Sequence, residues 1–324
     1  MTIKKLLLAS FLAVGTMANA DELKLSNFIT NTTFSGDARL KYATINYDNS
    51  ISDSDAATTR LRLNTNTKIN DSFSVGTRLT LSNRTLGGAE NTVTFNRIFM
   101  DYKEKNYSIR AGRMYAPVYV FSDMFMDVDV DGIAYSTKIK NTQLKTGYLI
   151  LKSEPTSKTS DENTVFYVEG VHNVNIGENK ILFSAATFLE AESKSSTSEG
   201  LNIMTLGAEY THKLGGTIDI AQLKGQYIQS DADTSNKGYT LGVSLGTKTL
   251  KNKGDYQGII EYKVAEKNSF LSTSDYLNQK IIKFGATSYI AQNSNLEINY
   301  EMIESKEGDT VDKNILSFTL NHSF

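Results

Sequence analysis

Segments of about ten residues in which apolar and polar side chains alternate recur along the whole chain, and this period of two constrains the fold more than any other feature. It is clearest from Ala57 to Ile69, where Thr59, Leu61, Leu63, Thr65 and Ile69 fall on one side and Arg60, Arg62, Asn64, Asn66 and Lys68 on the other. Successive side chains of a strand point to opposite faces, so these two sets are separated by the backbone itself. The run Phe73–Leu81 repeats the pattern after a short polar break at Asn70 and Asp71. Sixteen such segments can be read, the remainder near 34–47, 92–102, 107–112, 132–139, 142–151, 165–174, 180–190, 202–212, 218–229, 238–246, 256–264, 279–291, 295–305 and 314–324. A helical period of 3.6 is hard to find.

The connections alternate as well. Long polar stretches near Asp48, Arg84, Met114, Lys152, Ala191, Asp231, Ala265 and Lys306 are separated by shorter turns. Both prolines, Pro117 and Pro155, lie in long stretches, where a missing ladder donor costs nothing. Long loops at one end and short turns at the other, with an even strand count, predict an all-β, transmembrane, antiparallel up-and-down β-barrel of about sixteen strands. Mean hydropathy of −0.32 does not oppose this, because only alternate residues of each strand face lipid. A soluble β-sandwich or solenoid would also alternate. The last segment argues against it, since Leu316, Phe318, Leu320, His322 and Phe324 occupy every second position to the final residue.

Residues 1–20 carry Lys4 and Lys5, an apolar run from Leu6 to Val14 and the small-residue pattern Ala18-Asn19-Ala20, which predicts a cleaved secretion signal and a barrel over 21–324. The apolar run is too short for a spanning helix. With 34 Lys plus Arg against 36 Asp plus Glu, loss of two leader lysines leaves a net charge of about −4, which suggests no nucleic-acid partner. Cysteine is absent, so no disulfide or thiolate metal site is available.

Three patches carry a family resemblance. The terminal strand ending in Phe324 resembles the signature that barrel-assembly machinery recognises in outer-membrane proteins. Ala111-Gly112-Arg113-Met114-Tyr115 through Tyr119, Asp123 and Met124 resembles the fifth strand and third loop of the trimeric porins. Phe34-Ser35-Gly36-Asp37-Ala38-Arg39-Leu40 is similar to their opening strand. The resemblance implies a homotrimeric outer-membrane porin of a Gram-negative bacterium, set in lipid and lipopolysaccharide, through which small hydrophilic solutes diffuse. It also implies that the third loop, near 113–131, folds into the barrel and narrows the pore.

A pore needs a wetted lumen rather than reactive groups, so the informative residues are those opposite the apolar face. Alternation places Arg39, Lys41, Arg60, Arg62, Arg78, Arg97 and Arg110 there. Facing lipid they would cost about 2 to 4 kcal/mol each at the bilayer midplane. The third loop supplies Asp123, Asp127, Asp129 and Asp131, read as a constriction facing the arginines, with a plain solvated loop or a calcium site as alternatives. Later strands read as mixed, with Glu209, Gln226, Glu261, Glu297 and Glu301 beside Lys224 and Lys263, which leaves the sign of selectivity open. Tyr47, Tyr102, Tyr107, Tyr210, Tyr256 and Tyr289 are candidates for the interfacial girdle. His172, His212 and His322 sit in no serine-nucleophile or zinc motif, so no enzyme, cofactor or metal is expected. A substrate-selective channel, or a narrow adhesion barrel with binding loops, are the alternatives.

Overall fold

The computed structural model describes residues 31–48, 52–83, 91–118, 129–152, 162–193, 202–247, 249–269, 278–306 and 312–324. The expected leader, Asp123 and Asp127 lie outside them. The described residues form sixteen strands. They are β1 (Thr32–Tyr47), β2 (Ser54–Lys68), β3 (Phe73–Asn83), β4 (Asn91–Lys103), β5 (Tyr107–Tyr115), β6 (Asp129–Ile139), β7 (Thr142–Lys152) and β8 (Glu162–Ile176), followed by β9 (Asn179–Ser193), β10 (Ile203–Lys213), β11 (Ile220–Ser230), β12 (Lys237–Gly246), β13 (Tyr256–Ala265), β14 (Gln279–Ala291), β15 (Ser294–Ser305) and β16 (Lys313–Ser323). Each pairs antiparallel with its sequence neighbours, and β1 pairs with β16 from Asp37↔Ser323 to Tyr47↔Lys313. Closure gives every strand a partner on each side, which is how a barrel satisfies backbone groups within a bilayer.

The alternation read from sequence is the alternation of the wall. In β12, Tyr239, Leu241, Val243 and Leu245 point outward and are exposed, while Gly238, Thr240, Gly242, Ser244 and Gly246 point inward. The same outward phase puts Leu40, Leu61, Leu81, Phe166, Leu206, Ile260, Phe284 and Phe318 on the outer surface. The seam between first and last strands is tied at its end by reciprocal bonds, Gly36 N to Phe324 O at 2.8 Å and Phe324 N to Gly36 O at 3.0 Å. The Phe324 ring lies where a side chain at position 36 would stand, 2.6 Å from an ideal Cβ.

Two features depart from simple alternation. At Asn96 the β3–β4 register slips, from Arg78↔Arg97 to Leu79↔Phe95. The extra residue reverses the phase of β4, so Phe95 and Ile98 both face outward while Arg97, Phe99 and Asp101 take the inner face. Next to it, β4 and β5 pair only from Ile98↔Arg113 to Lys103↔Ser108. The segment 91–97 of β4 therefore pairs with β3 alone, and Arg113 Nε donates to the Asn96 carbonyl at 2.9 Å.

The expected third-loop boundaries need correction. Arg113–Tyr115 belong to β5 and Asp129–Asp131 to β6, where Tyr115↔Asp129, Met114↔Val130 and Arg113↔Asp131 are paired. Backbone pairing continues there although the polar Asp repeat reads as loop. Two girdle assignments also change. Tyr47 shares the inward phase of Arg39 and Lys41, and Tyr289 that of Lys283 and Thr287. On the outer face, Phe73, Tyr102, Tyr107 and Tyr135 form a chain of ring contacts at 4.7, 6.0 and 6.0 Å near the short turns.

Candidate functional site

Charge collects on the inner face of the barrel, in two unlike halves. On β1–β5, strand pairing brings Arg39 opposite Arg60, Asp37 opposite Arg62 and Asn64 opposite Arg78, with Arg78 in turn opposite Arg97. Asp37 receives Arg60 Nη2 at 2.9 Å and Arg62 Nε at 2.6 Å. Arg110 grips Asp101 with two bonds of 2.6 and 2.8 Å and lies over the Phe99 ring, 4.3 Å from its centroid. Arg97 Nε meets Asp129 at 2.5 Å while its guanidinium covers Tyr115. Arg78 Nε donates to Asn64 Oδ1 at 2.6 Å.

These contacts sort the seven basic residues. Arg60, Arg62, Arg97 and Arg110 are held by carboxylates, and paired guanidinium–carboxylate bonds are charge-assisted and directional. Arg39, Lys41 and Arg78 make no ion pair with a described residue. Sequence alone does not mark Asp37 and Asp101 as partners of the arginines, because they lie within strands whose polar face is dominated by arginine. Asp131 pairs with Arg113 instead, at 3.5 Å.

On β7–β15 the charges are mixed. Lys145 Nζ meets the buried Glu169 at 3.0 Å, Lys263 Nζ meets Glu261 at 3.3 Å, and Lys283 meets Glu301 at 3.7 Å. Lys224 also pairs with Glu261, from two strands away. Glu297 accepts from Asn321 Nδ2 at 2.8 Å.

The inner face also carries an apolar patch, on strands β5 to β11. Met114, Val130, Leu149, Val165, Tyr167, Phe188, Ile203 and Ile228 are all at most 3 % exposed and form one cluster, against which Ala116 and Val118 of the third connection pack. The sequence carries a signal for it. Tyr148–Leu151 and Val165–Val168 are continuously apolar, which is the pattern of a strand covered on both faces rather than one.

The remaining candidates are engaged elsewhere. The imidazoles of His172, His212 and His322 take the outer phase and bond Thr142 Oγ1 at 2.8 Å, Asn179 Oδ1 at 2.9 Å and Ser294 Oγ at 2.8 Å. Asp129 and Asp131 are spoken for by Arg97 and Arg113, which removes two of the four oxygen donors a calcium site at the Asp repeat would use.

A closed wall with lipid-compatible residues outside and charge inside is the arrangement of a channel, and a family profile described as Gram-negative porin matches residues 7–324. The chain belongs to this family. Solved structures share the fold at low identity. The chain is similar to OprB of Pseudomonas putida, with TM-score 0.68 and 9 % identity over 92 % of this chain and 96 % of that one. It is similar to the Rh. blastica porin, with TM-score 0.59 and 13 % identity over 90 % of this chain and all of that one. OmpF of Salmonella typhi gives TM-score 0.58 and 16 % identity over 90 and 97 %. No curated protein sequence matches the chain. The porin assignment makes the long-connection end of the barrel extracellular and places the protein in the outer membrane.

At that extracellular end, polar contacts tie the connections of the later strands together. Glu266 accepts from Lys306 Nζ at 2.8 Å and from Lys237 N at 2.9 Å, and the Lys306 hydrogen bond is the main influence holding its carboxyl below the usual range. Asn268 Nδ2 donates to Thr234 O, and Ser230 Oγ donates to Asn268 O.

Proposed function

We propose that this porin passes small hydrophilic solutes and ions by diffusion, with a modest preference for anions set by Arg39, Lys41 and Arg78. The observation that carries the reading is the sorting of the basic wall: four of its seven cations are held in ion pairs by Asp37, Asp101 and Asp129, and these three are in no ion pair with a described residue. Cations not locked into an ion pair raise the local concentration of mobile anions.

The third connection narrows the pore by folding onto the inner apolar patch. The interior of a sixteen-stranded barrel is wet, so side chains as apolar as Leu149, Phe188 and Ile203 need a cover to stay dry on that face. Ala116 and Val118, already packed there, support this course. The same reading includes removal of residues 1–20, recognition of Phe324 by the assembly machinery, contact with lipopolysaccharide and a homotrimeric assembly, and it assigns no catalytic role. Zero-current potentials in planar bilayers under a salt gradient test the main reading. Stepwise conductance with an anion-directed potential is expected; a cation-directed one would overturn the assigned preference.

A second reading, preference for carboxylated solutes, has one observation in its favour. The Nε atoms of Arg39 and Arg60 are buried without an acceptor. A fold neighbour, OccK2 of Pseudomonas aeruginosa, is known in complex with glucuronate. Block of salt conductance by added organic carboxylates, absent with sugars of equal size, distinguishes this reading from simple diffusion.

A further inference from the structure

A single lateral row of the inner wall holds Glu209, Lys224, Gly242, Glu261, Lys283 and Glu301, each directly opposite the next on strands β10 to β15. Opposite charges face one another at Glu209↔Lys224, so the short route for the lysine is across one strand gap to Glu209. It takes the long route instead. Its ammonium meets Glu261 on the far side of β12, two strand spacings or roughly 10 Å away at the backbone. Gly242 makes this possible. An ideal Cβ at that position would stand 2.6 Å from Lys224 Cε and 3.1 Å from Lys224 Cγ, so the lysine stem lies in the space a side chain would fill. Glu209, inward and half-buried, has no hydrogen bond or ion pair with a described residue, whereas Glu261 collects both Lys224 and Lys263.

We propose that Gly242 is a specificity-determining position of the pore: by lacking a side chain it diverts Lys224 to Glu261 and leaves Glu209 as an open carboxylate, a cation-attracting subsite opposite the arginine wall. The proposal rests on the porin reading. A side chain at position 242 closes the path over β12, and Lys224 then falls back on Glu209 and neutralises it. The pore thus carries an anion-attracting half and one isolated cation-attracting point, selected by the absence of a single methyl group.

The test is the K+/Cl− permeability ratio of the purified full chain in planar bilayers, from zero-current potentials in a potassium chloride gradient. Gly242→Ala and Glu209→Gln are each expected to lower the ratio about twofold, the scale of one charge acting across several ångströms of water. Glu209→Gln adds little further in the Gly242→Ala background, and Gly242→Ala is silent in a Lys224→Met background, where there is no lysine to redirect. An unchanged ratio for Gly242→Ala, an unchanged ratio for Glu209→Gln, or a Gly242→Ala effect that survives Lys224→Met overturns the proposal. Should Gly242→Ala not assemble, Glu209→Gln is measured with and without Lys224→Met: equal effects support an unpaired Glu209, and unequal effects overturn it. Absence of stepwise conductance in the unaltered protein would instead sink the porin reading, so the two failures are distinguishable.

Discussion

At the scale of single residues, pairing decides what each charge does. Arg39 and Arg110 look alike in sequence, each an arginine on the polar face of an alternating strand. In the barrel, Arg110 is bonded twice to Asp101, which is 6 % exposed, while Arg39 forms no ion pair with a described carboxylate. Replacing them should therefore have different consequences. Arg39→Ala is expected to lower the anion preference and leave assembly intact, as zero-current potentials would register. Arg110→Ala strands a buried carboxylate, a loss on the order of 3 kcal/mol, and is expected to lower the denaturant midpoint of the folded barrel. Equal effects of the two variants on both measurements would refute the sorting of the wall into free and paired cations. The same difference explains what could be read beforehand: side of the wall follows from local alternation, whereas ion-pair partners lie on other strands.

At the scale of elements, the β4–β6 region is where the wall departs from regularity. The bulge at Asn96 and the short β4–β5 ladder let the tips of β5 and β6 lead toward the inner patch, with Arg97–Asp129 and Arg113–Asp131 on either side of the root. Alternation in sequence does not reveal the bulge, because Phe95, Ile98 and Met100 read as apolar positions in either phase. A charge introduced at Ala116, which is 2 % exposed within the apolar cluster, would have to remain wet. Ala116→Asp is thus expected to release the third connection and raise single-channel conductance; conductance at the unaltered level would argue that this segment does not narrow the pore. At the opposite seam, Gly36→Val would place a branched side chain against the Phe324 ring and the Arg62 carbonyl. It is expected to reduce the yield of heat-modifiable barrel on unheated gels.

At the scale of the whole molecule, the membrane band is held by closure and the extracellular rim by polar ties. The Glu266 carboxyl, outside the membrane-spanning strands, is held below its usual range by Lys306 above all, against the opposing influence of burial. A carboxyl depressed in the folded state contributes stability that is present above its unfolded value and is lost as pH falls through the folded one. The rim tie is therefore expected to persist at neutral pH and to loosen on acidification below the ordinary glutamate range. Hydrogen exchange at Lys237 and Lys306 amides across that interval would register it, and Glu266→Gln should abolish the pH dependence.

Sequence alone determined the architecture, because a strand's period of two is a local property: each segment shows which side chains must avoid lipid without reference to any other. Sixteen strands, closure and the basic face are all legible this way, and strand ends differ by a few residues where polar pairs such as Tyr115↔Asp129 continue the ladder. Tertiary structure alone decided which charges remain free, where the phase slips, which inner wall is dry and which carboxylate Lys224 reaches. These depend on register between strands distant in sequence and on one glycine whose neighbours come from two other strands. No single segment contains that information.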